Sequence, residues 1–188
     1  MKQGLRYWYS VFWSEVRRNP WADGLRDAAL SGRLRRWTEL LTGVVAKSCA
    51  AIGLQVAARG WGDSVLPVPR QEYLGVDFLA FPKAGEPGWK KPVLAFELEN
   101  QPETDIIAYA LWKICMVRVQ WGGVFCYRRE PEVIRGLLQE LTEGVMKAVQ
   151  PEHDVLLVVG TRSRAGDFPD GFFRPYHWDK GFQQFRIL

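Results

Sequence analysis

The chain has 188 residues, of which 47% are hydrophobic and 24% are charged, the composition of a globular protein long enough to bury a core. Its 25 lysines and arginines exceed its 21 aspartates and glutamates by 4, and so small an excess permits a polyanionic partner without requiring one. No segment approaches the roughly 20 apolar residues of a membrane-spanning helix, so we expect no membrane partner.

The cysteines and the N-terminal residues favour a cytoplasmic protein. Cys49, Cys115 and Cys126 all lie among apolar residues, and an odd number of cysteines without CxxC spacing is typical of reduced thiols in a core. With only two histidines in the chain, we expect no structural zinc site. Residues 1–18 lack the apolar run and the cleavage site of a signal peptide, which also favours the cytoplasm.

Two helices and a strand are predicted at the start of the chain. Residues 4–18 and 33–52 carry apolar side chains at helical spacing, and Pro20 and Gly24 punctuate the segment between them. Residues 54–58 predict a short strand.

Two further strands are predicted around a turn. After a loop with two prolines at 60–71, residues 73–81 predict a strand whose apolar character is broken by Asp77. Residues 82–92 contain the prolines and glycines of a turn, and 93–99 predict the next strand. We therefore expect these two strands to form a hairpin.

Helices and strands alternate after the hairpin. Residues 103–117 predict a helix with acidic residues in its first turn, which suit the helix dipole, and 123–128 predict a strand. A helix that opens at Pro131 is predicted to run over 131–149. Residues 154–160 predict a strand that is buried on both faces.

This order of elements predicts an α/β fold with a mixed central β-sheet flanked by helices. We expect a single domain over residues 1–188, with its core at 33–160. An N-terminal helical extension, 1–32, would precede the core, and a tail rich in arginine and aromatic residues, 161–188, would follow it. Within the tail we expect at most one last strand, at 182–188.

Aromatic and basic side chains alternate in the tail, and two interpretations of this pattern stay open. Interleaved rings and cations stack on nucleic-acid bases, or the tail is a packed flap. The residues concerned are Phe172, Phe173, Arg174, Tyr176, Trp178 and Lys180.

Two glutamates lie at the end of a predicted strand whose other residues are apolar. Glu97 and Glu99 share one face of the predicted strand, about 6–7 Å apart. Two partly desolvated carboxylates at that distance take up a proton or share a cation. Asp77 on the neighbouring predicted strand adds a third carboxylate, and such oxygen ligands suit Mg²⁺ or Mn²⁺. The alternative is a solvent-exposed end of an amphipathic sheet that binds no ligand.

At these residues the chain resembles the PD-(D/E)XK nuclease superfamily, which has the restriction-endonuclease-like fold. That family's core runs helix, three strands, helix, strand, and this order matches the prediction for 33–128. Its motif is an Asp on the second strand and a (D/E)xK tripeptide on the third. Here GVDF supplies Asp77, and FELEN supplies Glu97 and Glu99. Many members add a Glu on the first core helix, where RRWTELL supplies Glu39.

One position departs from the family pattern. The third motif position is usually Lys, and this chain has Glu99. Some members place the lysine on the following helix, and Lys113 is the candidate because it lies in helical register with Ile106, Ala110 and Val117. The alternative is that Lys113 only extends along that apolar stripe with its charge in water.

The resemblance implies a divalent-metal-dependent nuclease that hydrolyses phosphodiester bonds, with DNA as the expected partner and a homodimer as one expected form. It implies Asp77, Glu97 and Glu99 as ligands of Mg²⁺ or Mn²⁺, and Glu39 and Lys113 as further catalytic residues. Phosphate contacts are expected from basic pairs next to these elements, Arg35 with Arg36 and Arg128 with Arg129.

Two other classes of function stay open. A catalytically inactive protein with the same fold would bind nucleic acid or a protein partner, and the missing motif lysine and modest net charge favour this class. An unrelated hydrolase would use a carboxyl pair on sugars, for which the nine tryptophans offer stacking surfaces.

Overall fold

The structure of the chain is a computed structural model. It describes residues 4–61, 65–68, 72–83 and 88–188. The predicted loop at 60–71 and the predicted turn at 82–92 therefore lie partly outside the described residues.

The fold is α/β, as predicted, because helices and strands both recur along the described chain. The α-helices are α1 (Leu5–Val16), α2 (Trp21–Leu30), α3 (Leu34–Ala51), α4 (Thr104–Met116), α5 (Ile134–Leu141) and α6 (Lys147–Val149). The strands are β1 (Leu54–Ala58), β2 (Phe78–Pro82), β3 (Leu94–Leu98), β4 (Trp121–Arg128), β5 (Asp154–Thr161), β6 (Phe173–Asp179) and β7 (Gln184–Ile187). Among the described helices, none is long and apolar enough to cross a membrane.

The chain divides into two compact units, one ending at Ala95 and the other beginning at Phe96. The division falls within β3. The single domain expected from the sequence stays a prediction, and the two units are described separately below.

Helices α1 and α2 both pack against α3 in the first unit. The apolar stripe predicted along α1 is buried, and the Trp8 indole N–H donates to Cys49 Sγ on α3 over 3.3 Å. Helix α2 lies outside the sequence prediction, because Pro20 and Gly24 are typical of a break between helices. Pro20 instead sits at the cap position before α2, and Gly24 lies inside it where a Cβ would come within 3.1 Å of Leu40 Cδ1.

Helix α3 buries one face as its spacing predicted, although Leu34 at its first turn is exposed. Gly43 allows two indole rings to approach the helix closely. A Cβ at this position would lie 2.7 Å from the Trp61 ring and 2.8 Å from the Trp21 ring. The glycine that weakens the helix locally therefore serves tertiary packing.

Strands β1 and β2 pair antiparallel, with Leu54 opposite Pro82. Strand β2 is shorter than the predicted strand 73–81, because Leu74 and Gly75 adopt left-handed backbone conformations that turn the chain. Asp77 consequently lies in a bend directly before β2 and not inside a strand, which corrects the prediction.

The strands of the second unit pair in mixed directions. Strand β4 runs parallel to β5, whereas β5–β6 and β6–β7 are antiparallel. One parallel pair followed by two antiparallel pairs is a mixed arrangement, as the sequence predicted. Gly123 on β4 leaves room for the Phe96 ring, since a Cβ at this position would clash with Phe96 Cε1.

The helix predicted at 131–149 is present as a composite. A 3₁₀ turn at Pro131–Val133 leads into α5, and a π-helical turn at Thr142–Met146 joins α5 to α6. The four apolar positions predicted to face the core are all buried: Ile134, Leu137, Leu141 and Val145.

The tail folds as a 3₁₀ segment at Arg162–Asp167 followed by β6 and β7. Three aromatic rings of the tail are buried: Phe172, Phe173 and Trp178. For these rings the structure favours the interpretation of the tail as a packed flap. Strand β7 confirms the strand predicted at 182–188. Strand β6 was not predicted, because Pro175 lies in its middle.

Candidate catalytic site

Glu97 is a buried carboxylate on β3, with 5% of its surface exposed. Every residue of β3 is buried, so its acidic residue lies inside the protein instead of on a solvated edge. An unpaired ionised carboxylate in such surroundings costs several kcal/mol of desolvation. A neighbouring cation is therefore expected, and the structure provides one.

The cation is Lys113 in the third turn of α4. Its Nζ lies 2.8 Å from Glu97 Oε1, and the two side chains are 24% and 6% exposed. The same Nζ lies 5.5 Å from the centroid of the exposed Tyr109 ring. The ammonium of Lys113 thus contacts Glu97. The alternative, in which Lys113 only extends along the apolar stripe with its charge in water, does not describe this contact.

The local sequence of α4 explains why this lysine reaches inward. Ile107, Ala110 and Ile114 are buried on α4, and Lys113 lies beside this face. Its aliphatic stem covers the edge of that face while its charged end reaches the carboxylate.

Glu99 has a different role in the local structure. It follows the last residue of β3, and its backbone N–H donates to the Phe125 carbonyl on β4 over 2.8 Å. Its Oε1 accepts a hydrogen bond of 2.7 Å from the Gln101 backbone N–H. The half-buried Glu99 side chain therefore holds the turn that leaves β3, with one oxygen engaged.

Two arginines fasten the segment after β3. Arg128 donates to the Pro102 carbonyl over 2.7 Å and to Thr104 Oγ1 over 3.0 Å, and Arg162 donates to the Asn100 carbonyl over 3.1 Å. They meet here because the parallel strands β4 and β5 end at the same edge. Arg162 is not among the site residues predicted from the sequence, although a cation directly after a buried parallel strand is a signal for this edge.

The charges of Glu99 and Arg128 both act on Cys126. Burial raises the pKa of the Cys126 thiol to about 12, while Arg128 lowers it and Glu99 raises it further. Cys126 is therefore a protonated core thiol and not a nucleophile, in keeping with the sequence prediction.

The remaining two predicted residues belong to the first unit. Asp77 is exposed, directly before β2. Glu39 on α3 has a half-exposed side chain, with Arg35 Nε at 3.2 Å and Arg36 Nη1 at 3.7 Å. These are surface pairs one helical turn apart, so Arg35 and Arg36 neutralise Glu39. The catalytic roles of Asp77 and Glu39 stay predictions.

The donor chemistry suits a hard divalent cation. Glu97 and Glu99 offer carboxylate oxygens, the ligands that Mg²⁺ and Mn²⁺ prefer. Among the described residues, no group of three or more His, Cys, Asp or Glu side chains is placed to hold a metal ion. The metal site with Asp77, Glu97 and Glu99 stays a prediction.

Comparison of the chain with models of protein families, with curated proteins and with solved structures finds no match in any of the three.

Proposed function

We propose that this protein is a divalent-metal-dependent nuclease with a restriction-endonuclease-like core, which hydrolyses phosphodiester bonds of DNA. The observation that carries the proposal is the ion pair between the buried Glu97 and Lys113. A carboxylate and a lysine on consecutive elements, β3 and α4, supply the two chemical groups of the (D/E)xK motif when its third position is Glu99.

Glu97, with Glu99 and Asp77, would hold Mg²⁺ or Mn²⁺. The bound ion would lower the pKa of a coordinated water and stabilise charge on the scissile phosphate. Glu99 has a second carboxylate oxygen available to accept the proton of the attacking water.

Lys113 would supply the positive charge that the motif lysine supplies in the family. Its ammonium lies beside Glu97 and would orient the attacking water and offset charge on the phosphate. Arg128 and Arg129, at the end of β4, would contact the DNA backbone as expected from the sequence.

Cleavage of supercoiled plasmid and linear DNA in Mg²⁺ or Mn²⁺ tests the proposal. We expect metal-dependent cleavage by the unaltered protein and its loss in Asp77→Ala and in Glu97→Ala. Glu140→Ala, which removes an exposed carboxylate from α5, is the control and should retain activity. Equal cleavage by all of these proteins would show that the activity does not belong to this site.

A second candidate is a catalytically inactive protein of the same fold that binds nucleic acid or a protein. The ion pair also favours this function, because the Lys113 ammonium neutralises Glu97 in the manner of a purely structural pair. Calorimetric titration with Mn²⁺ separates the two functions. Heat that is abolished by Glu97→Gln supports the nuclease, and no heat at millimolar Mn²⁺ supports the inactive protein.

A further inference from the structure

A groove of about 910 Å³ lies in the second unit between α5 and the pair β6–β7. None of the residues assigned to the proposed nuclease site lines it. The residues that matter here are Arg135, Gln139, Arg174, Tyr176, Phe182 and Gln184.

Two arginines in this groove have no carboxylate partner within the described part of the chain. Arg135 on α5 and Arg174 on β6 make no side-chain hydrogen bond or ion pair with any residue that the structure describes. Many other arginines do have a carboxylate within 4 Å, for example Arg18, Arg59, Arg164 and Arg186. Arg174 is moreover half-buried, and a partly desolvated guanidinium without a partner favours binding of an external anion.

The acidic residues of the groove leave this positive charge in excess. Glu143 lines the groove but has Lys147 Nζ at 2.7 Å, so its charge is neutralised within the protein. Glu132 is the other lining carboxylate and is exposed. Arg135 and Arg174 therefore outnumber the one carboxylate that is not already paired.

Aromatic rings lie in the same groove as the arginines. Tyr176 shares a face of β6 with Arg174, because side chains two apart on a strand point the same way. Phe182 is 68% exposed, although the Arg186 guanidinium lies 4.8 Å from its ring centroid. The buried Phe185 also lines the groove.

We propose that this groove binds a nucleoside phosphate. Arg135 and Arg174 would hold the phosphate, for which guanidinium groups are the best-matched donors. Tyr176 or Phe182 would stack on the base, and the amides of Gln139 and Gln184 would bond to its edge. A cavity of this volume accommodates a mononucleotide. The same chemistry is offered by a free nucleotide and by the end of a nucleic-acid strand, and the proposal does not depend on nuclease activity.

Binding measurements in EDTA test the proposal without any metal-dependent cleavage. The probes are adenosine monophosphate, adenosine, inorganic phosphate and a 5′-phosphorylated oligonucleotide, each titrated by calorimetry. The variants are Arg135→Gln and Arg174→Gln, and the matched control is Arg118→Gln. Arg118 is an exposed arginine of the same unit that also has no carboxylate partner among the described residues. Circular dichroism establishes that each variant is folded.

We expect adenosine monophosphate to bind at least about 10-fold more tightly than adenosine or phosphate alone. Each groove variant should weaken binding by about 10-fold, and Arg118→Gln by less than about twofold. An oligonucleotide that binds more tightly than the mononucleotide identifies a strand end as the ligand, and equal affinities identify a free nucleotide. No binding, binding of adenosine equal to that of its phosphate, or equal effects of all three substitutions would overturn the proposal.

Discussion

At the scale of single residues, two lysine–glutamate pairs of nearly equal length differ in their surroundings. Lys113 contacts the buried Glu97 at 2.8 Å, and Lys147 contacts the exposed Glu143 at 2.7 Å. The distance alone would assign them equal weight. The burial does not, because a buried carboxylate that loses its partner keeps its desolvation cost.

We predict that Lys113→Met lowers the free energy of unfolding by roughly 2–4 kcal/mol, because it leaves the Glu97 charge without this partner. Lys147→Met should cost less than about 0.5 kcal/mol, since water screens an exposed pair. Urea unfolding followed by fluorescence measures both. Equal losses in the two variants would contradict the importance given to the burial of Glu97.

His153 gives a second prediction at this scale. Burial and then the Lys180 ammonium lower the pKa of His153 from its ordinary 6.5, and Asp154 opposes them. Below pH 6.5 the unfolded chain therefore binds a proton at this position before the folded protein does, so stability rises with pH in this window. We expect the free energy of unfolding to decrease as the pH falls below 6.5. His153→Gln should reduce this dependence when urea unfolding is measured across the same window. An unchanged dependence in His153→Gln would contradict the prediction.

The sequence could predict the chemistry of Glu97 but not all of its surroundings. A glutamate inside an apolar strand needs neutralisation, and helical register singled out Lys113 as a candidate partner. The positions of Arg128 and Arg162 at one edge depend on the parallel register of β4 and β5, which is a long-range property. Single-sequence patterns do not contain it.

At the scale of elements, glycines differ in how closely other residues pack against them. Gly123 on β4 lies against Phe96, and an added Cβ would also come within 2.7 Å of the Leu156 carbonyl oxygen. Gly136 on α5 is exposed, with no atom within 4 Å of an added Cβ. The same substitution therefore has opposite consequences at the two positions.

We predict that Gly123→Ala destabilises the protein by about 1–3 kcal/mol through overpacking. Gly136→Ala should stabilise it by about 0.5–1 kcal/mol, because alanine is the better helix former. Thermal unfolding of both variants measures the two effects. A neutral Gly123→Ala would show that β4 and Phe96 are free to separate.

The sequence predicts helices correctly where apolar residues recur over several turns. It does not predict some elements that contain or follow a proline or glycine typical of turns. The apolar stripes of α1 and α3 were sufficient to place both helices within two residues at each end. Helix α2 was missed because Pro20 precedes it and Gly24 lies inside it, and β6 was missed because Pro175 interrupts its pattern. In each case tertiary contacts outweighed a local signal.

At the scale of the whole molecule, the three cysteines report on the integrity of the core. Burial raises the pKa of Cys49, Cys115 and Cys126 to about 12 in each case. The reactive thiolate is therefore scarce at neutral pH, and the thiols are also covered. We predict that Ellman's reagent modifies the folded protein at least about 100-fold more slowly than the urea-unfolded protein. Fast modification of one thiol would show that its region opens readily.

The α/β class was predictable from the sequence because the order of helices and strands is a local property summed along the chain. The division at Ala95 and Phe96 was not, since it depends on contacts between distant segments. The proposed function rests on one property of each kind. The short motif is local in the sequence, whereas the ion pair of Glu97 and Lys113 depends on how β3 and α4 pack.

The most direct test of the proposed nuclease site is single-turnover cleavage of an end-labelled DNA duplex in Mg²⁺. We predict cleavage by the unaltered protein that EDTA abolishes, and a loss of about 100-fold or more in Glu97→Gln because this substitution replaces an oxygen of the proposed metal site. Glu140→Gln should cleave within about twofold of the unaltered protein. No cleavage in Mg²⁺ or Mn²⁺, or cleavage by Glu97→Gln at the unaltered rate, would contradict the assignment of Glu97 to a nuclease site.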